Sequence, residues 1–231
     1  MKAIPRSSSR LALGLCVLFL AFAALLAAAI PREASEAAQL WRMNFFPRPG
    51  GIHVEEINDA FMRLATLKLG GFLLLGAVFL AWTAAVTRQA RSAPERELDF
   101  TPIQAATSWI IPSRPFQRTL RQMEVLWQAG APASAGDWRT APLPRWRLRA
   151  WWTLYWLSQP LPRFNDLLLV AAGRTATSMQ AWGALIGGPD IPVWLSLLGD
   201  VLGVPAAIAA AWVVWNIQGR IDRLTLGETK S

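Results

Sequence analysis

Residues 11–30 form a run of 20 residues without a charged side chain, rich in Leu and Ala. At 1.5 Å per residue a helix of that length covers about 30 Å, the hydrocarbon thickness of a bilayer. Within such a layer no water satisfies the backbone, so only a helix or a closed barrel is viable. Residues 69–86 supply a second uncharged run, and residues 193–217 a third, interrupted only by Asp200 and Pro205. Composition points the same way. The chain is 53% hydrophobic and 16% charged, whereas soluble domains carry about 25% charged residues. These features exclude an ordinary soluble domain and predict an all-α integral membrane protein, with residues 1–231 forming a single membrane domain.

A fourth span is expected over residues 149–172, but it is unusual. It opens with Trp151-Trp152-Thr153-Leu154-Tyr155-Trp156-Leu157, then meets Pro160 and Pro162, with Arg163, Asn165 and Asp166 in its middle. Such a segment is either a short span followed by a surface helix or one kinked span packed inside a bundle. The first run follows Lys2, Arg6 and Arg10 and ends with Ala27 and Ala29, the flanks of a signal peptide. Its length exceeds the roughly 7–15 residues of a signal core, which favours a retained anchor. Lys and Arg fall on the two sides of a four-span layout as sixteen against seven. The positive-inside rule then places both termini and the second loop in the cytoplasm.

The outer loop, residues 31–68, holds Trp41-Arg42-Met43-Asn44-Phe45-Phe46, an expected interfacial plug, then the Gly50-Gly51 break. Ile57, Phe61, Leu64 and Leu67 recur at helical spacing, so the second helix should begin before the membrane. In the cytoplasmic loop Phe116, Leu120, Met123 and Trp127 step along one helical face over residues 116–128, while Arg118 and Arg121 lie elsewhere. That pattern predicts an amphipathic helix in the membrane surface, facing anionic lipid. It is a better account of the arginines than nucleic-acid binding. Residues 130–144 read as an Ala/Pro/Gly linker.

Ser108-Trp109-Ile110-Ile111-Pro112, the basic helix ending Val125-Leu126-Trp127, the Trp151–Leu157 run and a closing span leading into Gln218-Gly219-Arg220-Ile221-Asp222 occur in that order. Together they resemble an uncharacterised bacterial four-helix membrane family, a domain of unknown function numbered four-three-two-eight. The resemblance covers roughly residues 11–223 and implies a four-helix membrane bundle. It implies no activity.

Candidate chemistry is sparse. One cysteine, Cys16, and one histidine, His53, exclude an internal disulfide, a thiolate zinc site and a bis-His haem. Cys16 reads as an apolar filler and His53 as a solvated loop residue. Arg163 and Asp166, three apart, are expected to neutralise one another on a helix. Asp200 stands alone among these residues. Carboxylates inside a membrane are costly and by default are functional candidates, so a proton or cation site is one reading of Asp200. The other is a carboxylate about 9 Å below the interface marked by Trp194, satisfied by Arg163, Arg174 or a backbone N–H. No nucleophile–base set and no phosphate loop is visible, so no enzymatic role is expected.

Thirteen tryptophans accompany a single tyrosine. Trp82, Trp151, Trp152, Trp212 and Trp215 are expected at the cytoplasmic interface, and Trp41, Trp182 and Trp194 at the outer one, forming an aromatic belt. Trp152 and Trp156 share a helical face and would offer a flat surface to a partner helix, a lipid, or a quinone or pigment ring. The leading expectation is therefore a non-catalytic accessory subunit that packs against other integral membrane subunits of a larger complex, photosynthetic or respiratory, with bound lipid. The alternatives are a small transporter or proton/cation channel using Asp200, and a lipid-sensing surface protein. The spans show neither a polar stripe nor an inverted repeat, which weighs against transport.

Overall fold

The computed structural model describes residues 6–45, 54–93, 96–109, 115–132, 136–158 and 191–227. Among these the protein is 88% helical, without strands. Its helices are α1 (Arg6–Phe45), α2 (Val54–Ser92), α3 (Pro102–Thr107), α4 (Pro115–Ala129), α5 (Arg145–Ser158) and α6 (Ile191–Gly227). A short 3-10 turn, Trp138–Thr140, lies between α4 and α5. Three helices are long and apolar enough to cross a membrane, over Ser8–Ser35, Arg63–Ser92 and Ser196–Thr225. Half or less of each of these apolar stretches is buried within the protein. Large side chains such as Leu13, Val17, Leu20, Leu73 and Ile208 stay exposed, the arrangement a lipid solvent tolerates and water does not. The continuation of the expected fourth span beyond Ser158 lies outside the described residues.

The long helices extend past their apolar runs. α1 carries Pro31 in its interior and α6 carries Pro205, each of which removes one backbone donor from the helical ladder. α2 begins at Val54, as the spacing of Ile57, Phe61, Leu64 and Leu67 predicts. Thr83 and Thr87 return their hydroxyls to the carbonyls of Phe79 and Thr83, so neither leaves an unpaired group on a buried helix face.

The chain divides into two compact units, and α1, α2 and α6 contribute to both. One unit comprises Met1–Leu20, Leu75–Trp152 and Ile208–Ser231. Its centre is aromatic. The ring of Trp109 meets Phe79 edge-on at 4.7 Å and Trp152 edge-on at 5.2 Å, and Phe79 lies 5.6 Å from Trp82. Trp109 is delivered by α3, a one-turn helix with Pro102 in its first turn and a capping box. The Thr101 hydroxyl accepts from the Gln104 N–H, and the Gln104 side chain accepts from the Thr101 N–H. Trp82, Trp151 and Trp152 are buried. Their rings fill a protein core between helices.

α4 is likewise packed by its apolar face. Met123, Leu126 and Trp127 are buried, Leu120 is half-buried, and Arg118 and Arg121 are exposed. Trp127 stacks on Trp212 at 5.6 Å, and Arg220 lies over the Trp127 ring while its Nε donates to the Trp127 carbonyl at 3.1 Å. The face expected to contact lipid is therefore buried within the protein, with Trp127 covered by Trp212 and Arg220 of α6. The side chain of Phe116 lies outside the described residues.

In the same unit a polar network joins α1, α2 and α6. Gln218 Nε2 donates to Gln89 Oε1 (3.0 Å) and Asp222 Oδ1 (2.8 Å), Gln89 Nε2 donates to Asp222 Oδ1 (2.9 Å), and Trp82 Nε1 donates to Gln218 Oε1 (3.1 Å). Ser8 donates to Gln89, and Ser9 to the second oxygen of Asp222.

Gly130, just past α4, approaches α6 closely. A Cβ placed there would fall 2.6 Å from the Arg220 Cβ and 3.2 Å from its carbonyl carbon. Gly130→Ala is expected to push α4 from α6 and destabilise the protein by about 1–3 kcal/mol, read as a lowered unfolding temperature in detergent. An unchanged transition would show that this approach is not close.

Candidate functional site: a buried Glu–Lys–Asp cluster

The other compact unit comprises Ala21–Leu74 and Thr153–Ala207. Within it three helices each bring one ionisable residue to a common point: Glu33 from α1, Lys68 from α2 and Asp200 from α6. Their positions follow from the antiparallel course of the chain. Glu33 lies near the C-terminal end of the first apolar stretch, whereas Lys68 and Asp200 lie near the N-terminal ends of the second and third. The same end of all three stretches therefore carries the charge.

All three side chains are buried. Glu33 and Asp200 are 0% exposed and Lys68 1%. Lys68 Nζ donates to Glu33 Oε1, to Asp200 Oδ2 at 3.1 Å and to Ser196 Oγ at 2.9 Å. Ser196, one helical turn before Asp200 on α6, donates in turn to Glu33 Oε1 at 3.1 Å. Three acceptors match the three protons of an ammonium group, so the geometry is that of a charged lysine. Glu33 Oε2 is buried and has no hydrogen-bond partner.

The energetics make this cluster interdependent. An isolated ammonium buried in an apolar layer is strongly disfavoured, and removing one member of a buried pair leaves the other uncompensated. Lys68→Met should therefore destabilise the protein by about 3–5 kcal/mol. Double replacement of Lys68 and Asp200 by apolar residues should recover most of that loss. The check is detergent unfolding of both variants, and equal loss in the two would mean that the cluster is not coupled.

Asp200, singled out from the sequence, is buried inside the protein, with Lys68 as one of its partners. Arg163, Asp166, Arg174 and His53 lie outside the described residues. Lys68 and Glu33 were not expected as site residues. Lys68 reads in sequence as the last loop residue before an apolar run, and Glu33 as part of the polar stretch after Pro31. The available signal was their shared level. In an antiparallel arrangement a charge just after one span and another just before the next are neighbours, at the level of a carboxylate early in the last span.

The remaining expected contacts resolve differently. Trp152 is 2% exposed within the aromatic core, and Trp156 is half-buried beside Tyr155 at 6.0 Å. The flat surface foreseen for a lipid, quinone or pigment is therefore, at Trp152, already occupied by Trp109 and Trp151. Cys16 is buried on α1, and its thiol donates to the Ala211 carbonyl at 3.4 Å. Among the described residues no group of three or more His, Cys, Asp or Glu side chains is arranged to hold a metal ion.

Residues 51–219 match the domain of unknown function DUF4328, and the chain belongs to that family. No curated protein and no solved structure matches it.

Proposed function

We propose that this DUF4328 protein is a small ion-coupled membrane transport protein, with the Glu33–Lys68–Asp200 cluster as its working site. The observation that carries the reading is a buried ionisable cluster in which one carboxylate oxygen, Glu33 Oε2, has no hydrogen-bond partner. Two carboxylates and one ammonium are buried together within helices of span length, and an intramembrane ionisable group is a functional candidate by default. A purely structural bridge needs one acid and one base. Here a second acid carries a buried oxygen that no donor reaches, which adds cost as an anion unless a mobile ion or proton balances it.

Two further features support this reading. The cluster lies near the ends of its three apolar stretches, which shortens access from one aqueous side. On the orientation given by the basic residues that side is the outer one. The same three helices also carry Ser8, Ser9, Gln89, Gln218 and Asp222 toward their opposite ends, so polar side chains are present in spans that otherwise read as continuous apolar runs. Reconstitution into vesicles containing a trapped pH dye tests the proposal. The wild-type protein should dissipate an imposed proton gradient faster than protein-free vesicles, and Asp200→Asn should abolish the difference. A wild-type rate equal to that of empty vesicles overturns transport, and full flux through Asp200→Asn overturns the site.

The accessory-subunit reading retains one specific support: Trp146 and Trp215 are 70% and 62% exposed, surfaces that a neighbouring membrane subunit would cover. It requires that larger subunits co-purify in stoichiometric amount from gently solubilised native membranes. Recovery of the tagged chain alone removes that reading.

A further inference from the structure

We infer that the cluster holds one exchangeable proton, on Glu33 Oε2, and that the ion it handles is therefore a proton rather than a metal cation. The inference deepens the proposed transport role and rests on the cluster being the working site.

The hydrogen-bond directions leave one place for that proton. The three Nζ protons of Lys68 are directed at Glu33 Oε1, Asp200 Oδ2 and Ser196 Oγ. The Ser196 hydroxyl proton is directed at Glu33 Oε1. Oε1 therefore accepts two hydrogen bonds, one of them from a cation. Asp200 accepts from Lys68 and makes a further interaction besides. Both carboxylates are thus engaged, but Glu33 Oε2 alone is buried without a partner. With Glu33 ionised, its negative charge would be least compensated on the atom that no donor reaches.

A neutral O–H without an acceptor is disfavoured, but an anionic oxygen without a donor is disfavoured far more. Protonation at Oε2 leaves Oε1 as a carbonyl acceptor for Lys68 and Ser196, keeps every observed hydrogen bond and removes the uncompensated charge from Glu33. The charged and titratable groups facing Glu33 among the described residues are Lys68 on α2 and Asp200 on α6, with Ser196 as a neutral donor. Lys68 also occupies the position between the two acids that a metal cation would need. Release is a simple dissociation. The O–H bond at Oε2 breaks, the electron pair stays on the Glu33 carboxylate, which becomes an anion, and the proton passes to water.

The experiment is infrared difference spectroscopy of the full-length protein in lipid nanodiscs during a stepwise rise in pH. The wild type should lose the carbonyl stretch of a protonated carboxylic acid, and that band should shift in protein made with ¹³C-labelled glutamate. Glu33→Gln, an isostere of the protonated acid, should fold with an unfolding temperature like that of the wild type and lack the band. No band in the wild type, or a band persisting in Glu33→Gln, overturns the assignment. The vesicle flux assay keeps the two readings apart. The expected band without flux upholds the proton on Glu33 and overturns transport, whereas flux without the band overturns the proton assignment alone.

Discussion

Burying charge in an apolar layer is the constraint on which this structure turns. Lys68 cannot be carried inside a span-length helix unless acceptors meet each of its protons, and no one neighbouring helix supplies them all. Glu33 comes from α1, and Ser196 and Asp200 come from successive turns of α6. The requirement fixes the rotation of all three helices about their axes, since turning any of them by a third of a turn would withdraw its ligand. Apolar packing between spans gives no comparable selection, because lipid tails are as apolar as leucine. The polar contacts of Lys68 thus specify which faces meet.

The same logic governs the amide network of the other unit. Gln89, Gln218 and Asp222 again link α2 and α6, with Ser8 and Ser9 of α1 closing the set. Here the donors are neutral, the hydrogen bonds are reciprocal and the carboxylate is half-buried, so nothing in the arrangement calls for a mobile charge. The contrast between the two clusters assigns them different work. One is satisfied as it stands and locks helices together. The other keeps a buried oxygen without a partner, the atom on which the proposed proton exchange rests.

Tryptophan supplies the remaining cohesion. A density of indoles that reads as an external surface is largely consumed internally, in the Phe79–Trp82–Trp109–Trp151–Trp152 group and in the Trp127–Trp212 stack. Edge-on and stacked rings bury large areas with few rotatable bonds, and they allow the loop segment bearing Trp109 and the helix bearing Trp127 to seat on the long helices. The basic side chains of this region follow the rings. Arg147 lies over Trp212, Arg220 over Trp127, and Arg96 and Arg139 over Trp138.

The sequence by itself determined the long helices, the early start of α2 at Val54, the helical residues of α4 and the singular position of Asp200. Each is a local property: twenty apolar residues, a 3.6-residue period or one charge in an uncharged run is visible without knowing what lies opposite. Only the tertiary structure decided that Lys68 and Glu33 join Asp200, that Trp127 of α4 stacks on α6, and that Trp152 points inward. Those outcomes depend on which faces of different helices meet, and residues as far apart as Glu33 and Asp200 leave no periodic trace of one another along the chain. A charge at a span boundary looks the same in sequence whether it faces water or a partner, and its burial is set by the helices that close around it.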